Sequence, residues 1–275
     1  MQTNLNFTTK KLNNMRIAFK IFMIVSILTL IFSVKAAAQE ERDANLIKSE
    51  KLGWEYEIRA GINLGGTSPL PLPREIRKIK SFNPKFNGTV EGVVTKWFPS
   101  CGWGISGGLK LEEKGMETGA DVKNYHTKVI KGDQKVEGYF TGYNNTSVNM
   151  TYLTVPIMAN YRFNSRWKVR AGIGTSVLLG GDFNGYVKDG YLRNGTPVGE
   201  KVTFSEDGRG TFDFSNDLRR MQWSAMLGCS WRAYRHFSVV ADLSWGFTDI
   251  FKGSFKTISF NMYPIYCNVG FAYTF

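Results

Sequence analysis

The sequence is short of the residues that build metal cages and disulfide frameworks: its 275 residues include two His and three Cys. That leaves little raw material for a dedicated zinc site or a cystine scaffold, and no cofactor is expected. Overall hydrophobicity is low as well. Mean hydropathy is −0.23, which excludes a polytopic helical membrane protein. Charge is mixed in sign and aromatics reach 14%, so the composition is not that of a disordered chain.

What is present begins with an export pattern. Fourteen uncharged, mostly apolar residues run from Ile21 to Val34, preceded by Lys10, Lys11, Arg16 and Lys20 and followed by Ala36, Ala37 and Ala38. As a helix this run reaches about 21 Å at ~1.5 Å per residue, short of the ~30 Å hydrocarbon core. It reads as a signal peptide, residues 1–38, cleaved after Ala38. Met15 is an alternative start, and residues 39–53 form a short periplasmic segment. The leader holds five Lys or Arg and no acid, so 30 bases face 23 acids in the exported chain. The basic excess is modest, and no nucleic-acid partner is expected.

After Lys51 the dominant period is two. Trp54, Tyr56, Ile58, Ala60, Ile62 and Leu64 alternate with Glu55, Glu57, Arg59, Gly61 and Asn63, which places one apolar face opposite one polar face of a strand. The same alternation recurs and predicts strands at 54–64, 86–98, 103–112, 148–163, 167–180, 219–234, 237–248 and 258–275. In the second of these, Val90, Gly92, Val94 and Phe98 point outward and Glu91 inward. The connections run 21, 4, 35, 3, 38, 2 and 9 residues, long and short in strict alternation. A soluble sandwich has no reason to segregate its connections so. An outer-membrane barrel has tight periplasmic turns and long outer loops.

The expected fold is therefore all-β: an eight-stranded antiparallel up-and-down transmembrane barrel over residues 54–275, or ten strands if the second loop's hairpin enters the bilayer. Tryptophan placement agrees, since indole rings favour the membrane–water boundary. Trp54, Trp97, Trp103, Trp167 and Trp231, with Tyr161, Phe163, Tyr234, Phe237, Tyr273 and Phe275, form one girdle beside the short turns; Trp223 and Trp245 belong to the other.

With grease outside, the interior carries Glu55, Glu57, Arg59, Glu91, Lys110, Lys168, Arg170, Arg220, Arg232 and Asp242. Eight strands enclose a space that side chains fill, so these groups are expected to pair as a polar core, not to line a pore. Function then moves to the loops, as surface interaction or envelope structure. Pro69, Pro71 and Pro73 precede Arg74, Arg77, Lys78, Lys80 and Lys85, a basic loop able to hold lipopolysaccharide phosphates, with a plain solvated loop as the simpler reading. Outer-membrane lipid and lipopolysaccharide are the expected surroundings.

Three motifs carry less than they promise. Gly102, Gly104 and Gly107 spell a dinucleotide fingerprint, yet they open a strand and no helix follows. His126 in an outer loop and His236 in a periplasmic turn cannot share a site, and a lipid-hydrolysing Ser–His pair would need His126 beside a residue such as Ser147. No catalytic, cofactor or metal residues are assigned. Pro156 and Pro264 are expected to mark bulges.

The opening Trp54-Glu55-Tyr56 and Gly61-Ile62-Asn63, the run Tyr152-Leu153-Thr154-Val155-Pro156, and the closing Val269-Gly270-Phe271-Ala272-Tyr273-Thr274-Phe275 resemble the PorT-like outer-membrane β-barrel family. The resemblance implies a barrel of the Gram-negative outer membrane. Its closing aromatics, Tyr273 and Phe275, would be read by the barrel-assembly machinery. The family includes a secretion-system accessory protein, so a secretion role stands beside surface interaction, with a lipid-modifying enzyme as the competing class. Deleting Phe275 is expected to lower insertion, measured as the fraction of membrane protein whose gel mobility changes on boiling.

Overall fold

Alternating apolar and polar residues can satisfy every backbone group in lipid only if the sheet closes on itself. The computed structural model describes residues 53–99, 101–132, 134–205 and 208–275, and it shows that closure. The leader 1–38 and the segment 39–52 lie outside the described residues.

Eleven strands follow one another: β1 (Trp54–Pro69), β2 (Ile76–Asn83), β3 (Asn87–Trp97), β4 (Trp103–Lys131), β5 (Gln134–Arg162), β6 (Trp167–Asn194), β7 (Lys201–Phe204), β8 (Gly210–Asp213), β9 (Met221–Arg232), β10 (Phe237–Gly246) and β11 (Met262–Thr274). Eight of them make the barrel. The circuit runs β1–β3–β4–β5–β6–β9–β10–β11, every pair antiparallel, and the last strand returns to the first from Glu57↔Thr274 to Pro69↔Met262. The ten-strand alternative is not what forms: the expected hairpin of the second loop is the continuation of β4 and β5, paired from Trp103↔Tyr161 to Lys131↔Gln134.

β4, β5 and β6 are 29, 29 and 28 residues long, whereas a tilted strand of ~9–11 residues crosses a bilayer. Some two thirds of each therefore stands outside the membrane. The stretches expected as loops at 113–147 and 181–218 are largely strand for this reason. β7 and β8 pair with the outer part of β6, and β8 reaches back to β4 at Ile130↔Thr211, curling this crest into a second, smaller tube. The first long loop is likewise part strand: β2 pairs with β4 from Ile76↔Val122 to Asn83↔Glu117.

Neither Pro156 nor Pro264 shifts the register of its strand. Pairing of β4 with β5 pauses opposite Pro156, between Gly107↔Ile157 and Lys110↔Thr154, and resumes in phase. Thr67↔Pro264 likewise sits within an unbroken ladder. A missing N–H costs a ladder bond without requiring an extra residue, so the expected bulges are absent. Register shifts fall instead between Thr141 and Tyr143, where Gly142 has φ +151°, and between Thr151 and Tyr152.

The lipid-facing columns are those expected. Ile105, Leu109 and Leu111 of β4, Leu153, Val155 and Ile157 of β5, and Leu227 of β9 are exposed on the outside, while Glu91 of β3 is buried. The girdle beside the short turns is a chain of ring contacts, with Trp103–Tyr161 at 4.8 Å, Trp167–Trp231 at 6.4 Å and Phe237–Tyr273 at 5.1 Å. Trp97 is the exception. It shares the inward column of Glu91, Val93 and Thr95, and its ring lies 4.1 Å under the Arg162 guanidinium at the periplasmic mouth. The backbone N–H of Phe275 donates to the Tyr56 carbonyl at 3.0 Å, tying the closing aromatic to the seam.

Ile157→Arg, in the middle of a lipid-facing column, is expected to destabilise the barrel by about 2–4 kcal/mol, read from urea unfolding in lipid vesicles. The same change at exposed Lys128 of the crest is expected to be nearly neutral.

Candidate functional site

A charge sealed inside a barrel must be paired, because each ion loses several kcal/mol of hydration. Among the described residues the buried acids are Glu55, Glu57, Glu91, Glu112 and Asp242, and the buried Lys and Arg are Arg59, Lys110, Lys114, Lys168 and Arg170. Five carboxylates face five Lys and Arg; His236 is buried as well, and Arg162 and Arg232 join the Glu55 cluster at the rim. Glu112 and Lys114 were missed because they lie at and beyond the expected end of their strand.

Three clusters share these charges. At the periplasmic end, Lys168 Nζ donates to Glu55 Oε1 at 2.8 Å and to Glu57 Oε1 at 2.6 Å, and Arg162 Nη2 donates to Glu55 Oε2 at 2.9 Å. Arg59 Nε donates to Glu57 at 3.0 Å and Arg59 Nη1 to Glu91 at 3.4 Å. Across the middle, Arg170 grips Asp242 with both prongs, Nε to Oδ1 at 2.7 Å and Nη2 to Oδ2 at 2.8 Å, and also donates to the Ser230 hydroxyl. Toward the outside, Glu112 lies 3.0 Å from both Lys110 and Lys114 and accepts the Thr154 hydroxyl at 2.7 Å. Arg232 sits at the rim, 3.7 Å from Glu55. Arg220 is exposed just before β9, outside this network.

Above Glu112 the inward chemistry reverses. The next inward residues on the long strands are Met116, Val122, Tyr125 and Val129 of β4, Tyr152, Met150, Val148, Phe140 and Val136 of β5, and Phe183 and Val187 of β6, all in one buried apolar cluster. The connection from β10 to β11, residues 247–261, folds into the outer mouth and supplies Ile250 and Phe251, at 0% and 2% exposure. The Phe251 ring lies 4.9 Å from Phe183 and 4.6 Å from Phe255. Backbone bonds Ile250 N–H to Met262 at 3.0 Å and Arg219 N–H to Ile250 at 2.7 Å hold this plug. Sequence reasoning missed this plug; the apolar content of the connection, Ile250, Phe251, Phe255, Ile258 and Phe260, is the one signal that could have marked it as buried.

The outer surface of the crest is polar and rich in tyrosine and cations. Lys80 and Lys188 lie 5.8 and 5.6 Å from the Tyr143 ring, Arg209 4.8 Å from Tyr186, and Lys201 4.3 Å from Tyr191. β2, β4, β5 and β6 together form a hollow of about 550 Å³ lined by Arg77, Lys80, Lys123 and Lys188, with Tyr143, Tyr186, Asp121 and Asp189. Thus the basic cluster of the first loop divides. Arg77 and Lys80 line the hollow, with Lys80 2.9 Å from Asp121. Lys85 is held by Ser147 Oγ at 2.8 Å and Asn149 Oδ1 at 2.9 Å.

His126 and Ser147 are not brought together. His126 pairs with Tyr139 and Ser147 with Glu117, so eight residues of β5, roughly 27 Å at ~3.4 Å per residue, separate the two levels. His126 Nδ1 lies 2.9 Å from the Thr257 carbonyl. Cys101, Cys229 and Cys267 are free thiols, and no grouping of three or more metal-ligating side chains occurs among the described residues. Burial pushes the Tyr125 phenol, in the crest, above its ordinary value.

A closed eight-strand circuit with lipid-facing columns, an aromatic girdle at the short turns and an interior of buried, paired charges defines a small outer-membrane β-barrel. The family model for the outer membrane protein beta-barrel domain matches residues 37–252, and the chain belongs to that family. No curated protein matches it. Among solved structures it is similar to Ail, the attachment invasion locus protein of Yersinia pestis, in complex with the heparin analogue sucrose octasulfate, at 10% identity and TM-score 0.38, covering 81% of this chain and 99% of that one. It is also similar to the outer membrane protein OprG of Pseudomonas aeruginosa, at 14% identity and TM-score 0.32, covering 80% of this chain and 95% of that one.

The Arg170–Asp242 pair gives a test of the sealed interior. Asp242→Ala strands a buried guanidinium and is expected to cost about 3–5 kcal/mol, whereas Arg170→Met with Asp242→Leu is expected to be close to neutral. Urea midpoints of the refolded barrels compare the two.

Proposed function

We propose that this protein is a non-enzymatic surface-interaction barrel, in which a sealed transmembrane cylinder holds a rigid crest against an anionic partner outside the cell. The observation that carries the reading is the crest hollow. It presents four cations against two acids together with two tyrosines, and tyrosine supplies large contact area at low conformational-entropy cost. The strands beneath it are continuous with the barrel wall, so the surface is preorganised, which lowers the ordering cost of binding.

The plug and the paired interior charges support a closed barrel over a diffusion pore. The engagement of His126 with Thr257 and its separation from Ser147 support the non-catalytic reading. Within this proposal the chain is a PorT-like barrel of a Gram-negative outer membrane, exported by a leader spanning residues 1–38 and inserted by the barrel-assembly machinery. Lipopolysaccharide phosphates are the nearest anions available to the hollow.

Cells displaying the wild-type chain are expected to bind a sulfated polysaccharide or purified lipopolysaccharide more tightly than cells displaying Lys80→Ala with Lys188→Ala. The loss is expected at ten-fold or more and should shrink as salt rises, because exposed charges are screened. Equal binding by both, at equal surface levels, would count against the hollow. Release of fatty acid from lipid A by the purified chain, lost in His126→Ala, would overturn the non-enzymatic reading.

A further inference from the structure

Neighbouring strands of the barrel wall part between β1 and β3. Below Asn63, β1 is paired with β3; its last pair on that edge is Asn63↔Asn87. Beyond it β1 continues to Pro69 bonded to β11 alone, while β2, which takes over the position of β3, is bonded to β4 alone. The Thr67 N–H, in this parted stretch, is directed at the Met116 sulfur at 3.2 Å instead of a ladder carbonyl. The parting starts at Leu64, the last exposed apolar residue of the lipid-facing column of β1, and so at the outer edge of the membrane.

A cavity of about 330 Å³ fills the opening. Its lining crosses the wall. Gly66 and Ile265 come from the outward columns of β1 and β11, continuous with lipid-facing Leu64, Val269 and Phe271, whereas Met116 and Tyr125 come from the inward column of β4. No charged side chain lines it among the described residues. Ile79 and Phe82, on the flank given by β2, keep 53% and 52% of their surface exposed. Asn144 also lines the cavity; it is buried, and its Oδ1 accepts no hydrogen bond among the described residues.

We infer that this opening is a lateral binding site for one medium-length aliphatic chain of an outer-leaflet amphiphile. Its volume is at the small end of the ~300–1,000 Å³ typical of small-ligand sites. The uncharged lining excludes an ionic head from the interior. Continuity with the lipid-facing columns supplies the entry, since a hydrocarbon chain at the membrane's outer edge can enter the wall without crossing water. The site does not depend on the crest hollow: Arg77 and Lys80 of β2 line that hollow, while Ile76, Ile79 and Phe82 line this cavity.

Native mass spectrometry of the refolded full chain, incubated in mild detergent with dodecanoic acid or with naphthalene, tests the inference. Wild type is expected to retain one dodecanoic acid per barrel. Ala120→Phe, which fills the cavity, and Ile79→Asp, which places a charge in its lining without touching the eight-strand circuit, are each expected to lower retention at least ten-fold. Leu109→Ala, on the lipid face away from the cavity, should leave it unchanged. Each variant is first checked for a boiling-dependent change in gel mobility, so that a misfolded barrel is not scored. Equal retention by wild type and both cavity variants, or retention of naphthalene in place of dodecanoic acid, overturns the assignment. Neither result bears on polyanion binding at the crest.

Discussion

The seam between β1 and β11 is the constraint on which the rest of the molecule depends. A sheet in lipid with a free edge leaves a row of amides and carbonyls without partners, and each costs several kcal/mol. Thirteen consecutive pairs join the first strand to the last, and that closure makes inside and outside distinct. Only then does the period-two pattern acquire a meaning: odd and even positions face different solvents. The charged residues that look like a surface in the sequence become an interior, and they are tolerated there because the acids lie in contact with Lys and Arg.

The same constraint explains why the chemistry inverts along β4, β5 and β6. Inside the bilayer the apolar side must face out, since lipid is the outer solvent. Above it water is the outer solvent, and a strand that kept its pattern would expose a hydrophobic column while burying charge without need. Along β4 the change is sharp: Leu109 and Leu111 are exposed, Glu112 and Lys114 are buried, and then Met116 and Val122 take over the inside. Glu112, held by two lysines, Thr154 and, at 3.4 Å, Asn63, marks the level at which one solvent gives way to the other. Buried charge and buried grease thus meet inside one continuous strand, with no break in hydrogen bonding between them.

Most of the membrane-embedded part was legible in the sequence. Alternation placed all eight barrel strands, their inward and outward faces and the side with tight turns. The crest was hidden by the inversion itself. Residues 113–147 lose the apolar-out pattern of a membrane strand, and without it they read as loop, although they retain period two with the opposite sign. Trp97 misled because an indole at a strand end satisfies the girdle expectation equally well from the inward column, where it stacks under Arg162. The plug was concealed for another reason: Phe251 and Ile250 belong to a connection without alternation, and only the fold shows that the mouth needs filling. The candidate surface was partly visible, since the basic cluster after Pro73 was found, but pairing across the chain decided that Lys80 joins Lys188 around Tyr143 while Lys85 is bound by β5.

The parted strands at the outer membrane edge follow from the same arithmetic of partners. Between Asn83 of β2 and Asn87 of β3 the line of strand alongside β4 is interrupted, at a segment that contains Pro84, and β2 is bonded to β4 alone. β1 then has a neighbour on one side only. In lipid such an edge would be forbidden; just above it, water, a methionine sulfur or a guest can occupy the place of a strand. Side chains of Met116 and Phe82 partly fill the space, closing on Gly66, where a Cβ would lie 2.8 Å from the Met116 sulfur and 3.1 Å from the Phe82 ring. A glycine at that position keeps the two strands close while leaving the cavity beyond them open. The opening therefore lies just above the bilayer, where an unpaired edge is tolerated, next to the lipid surface that supplies an apolar occupant.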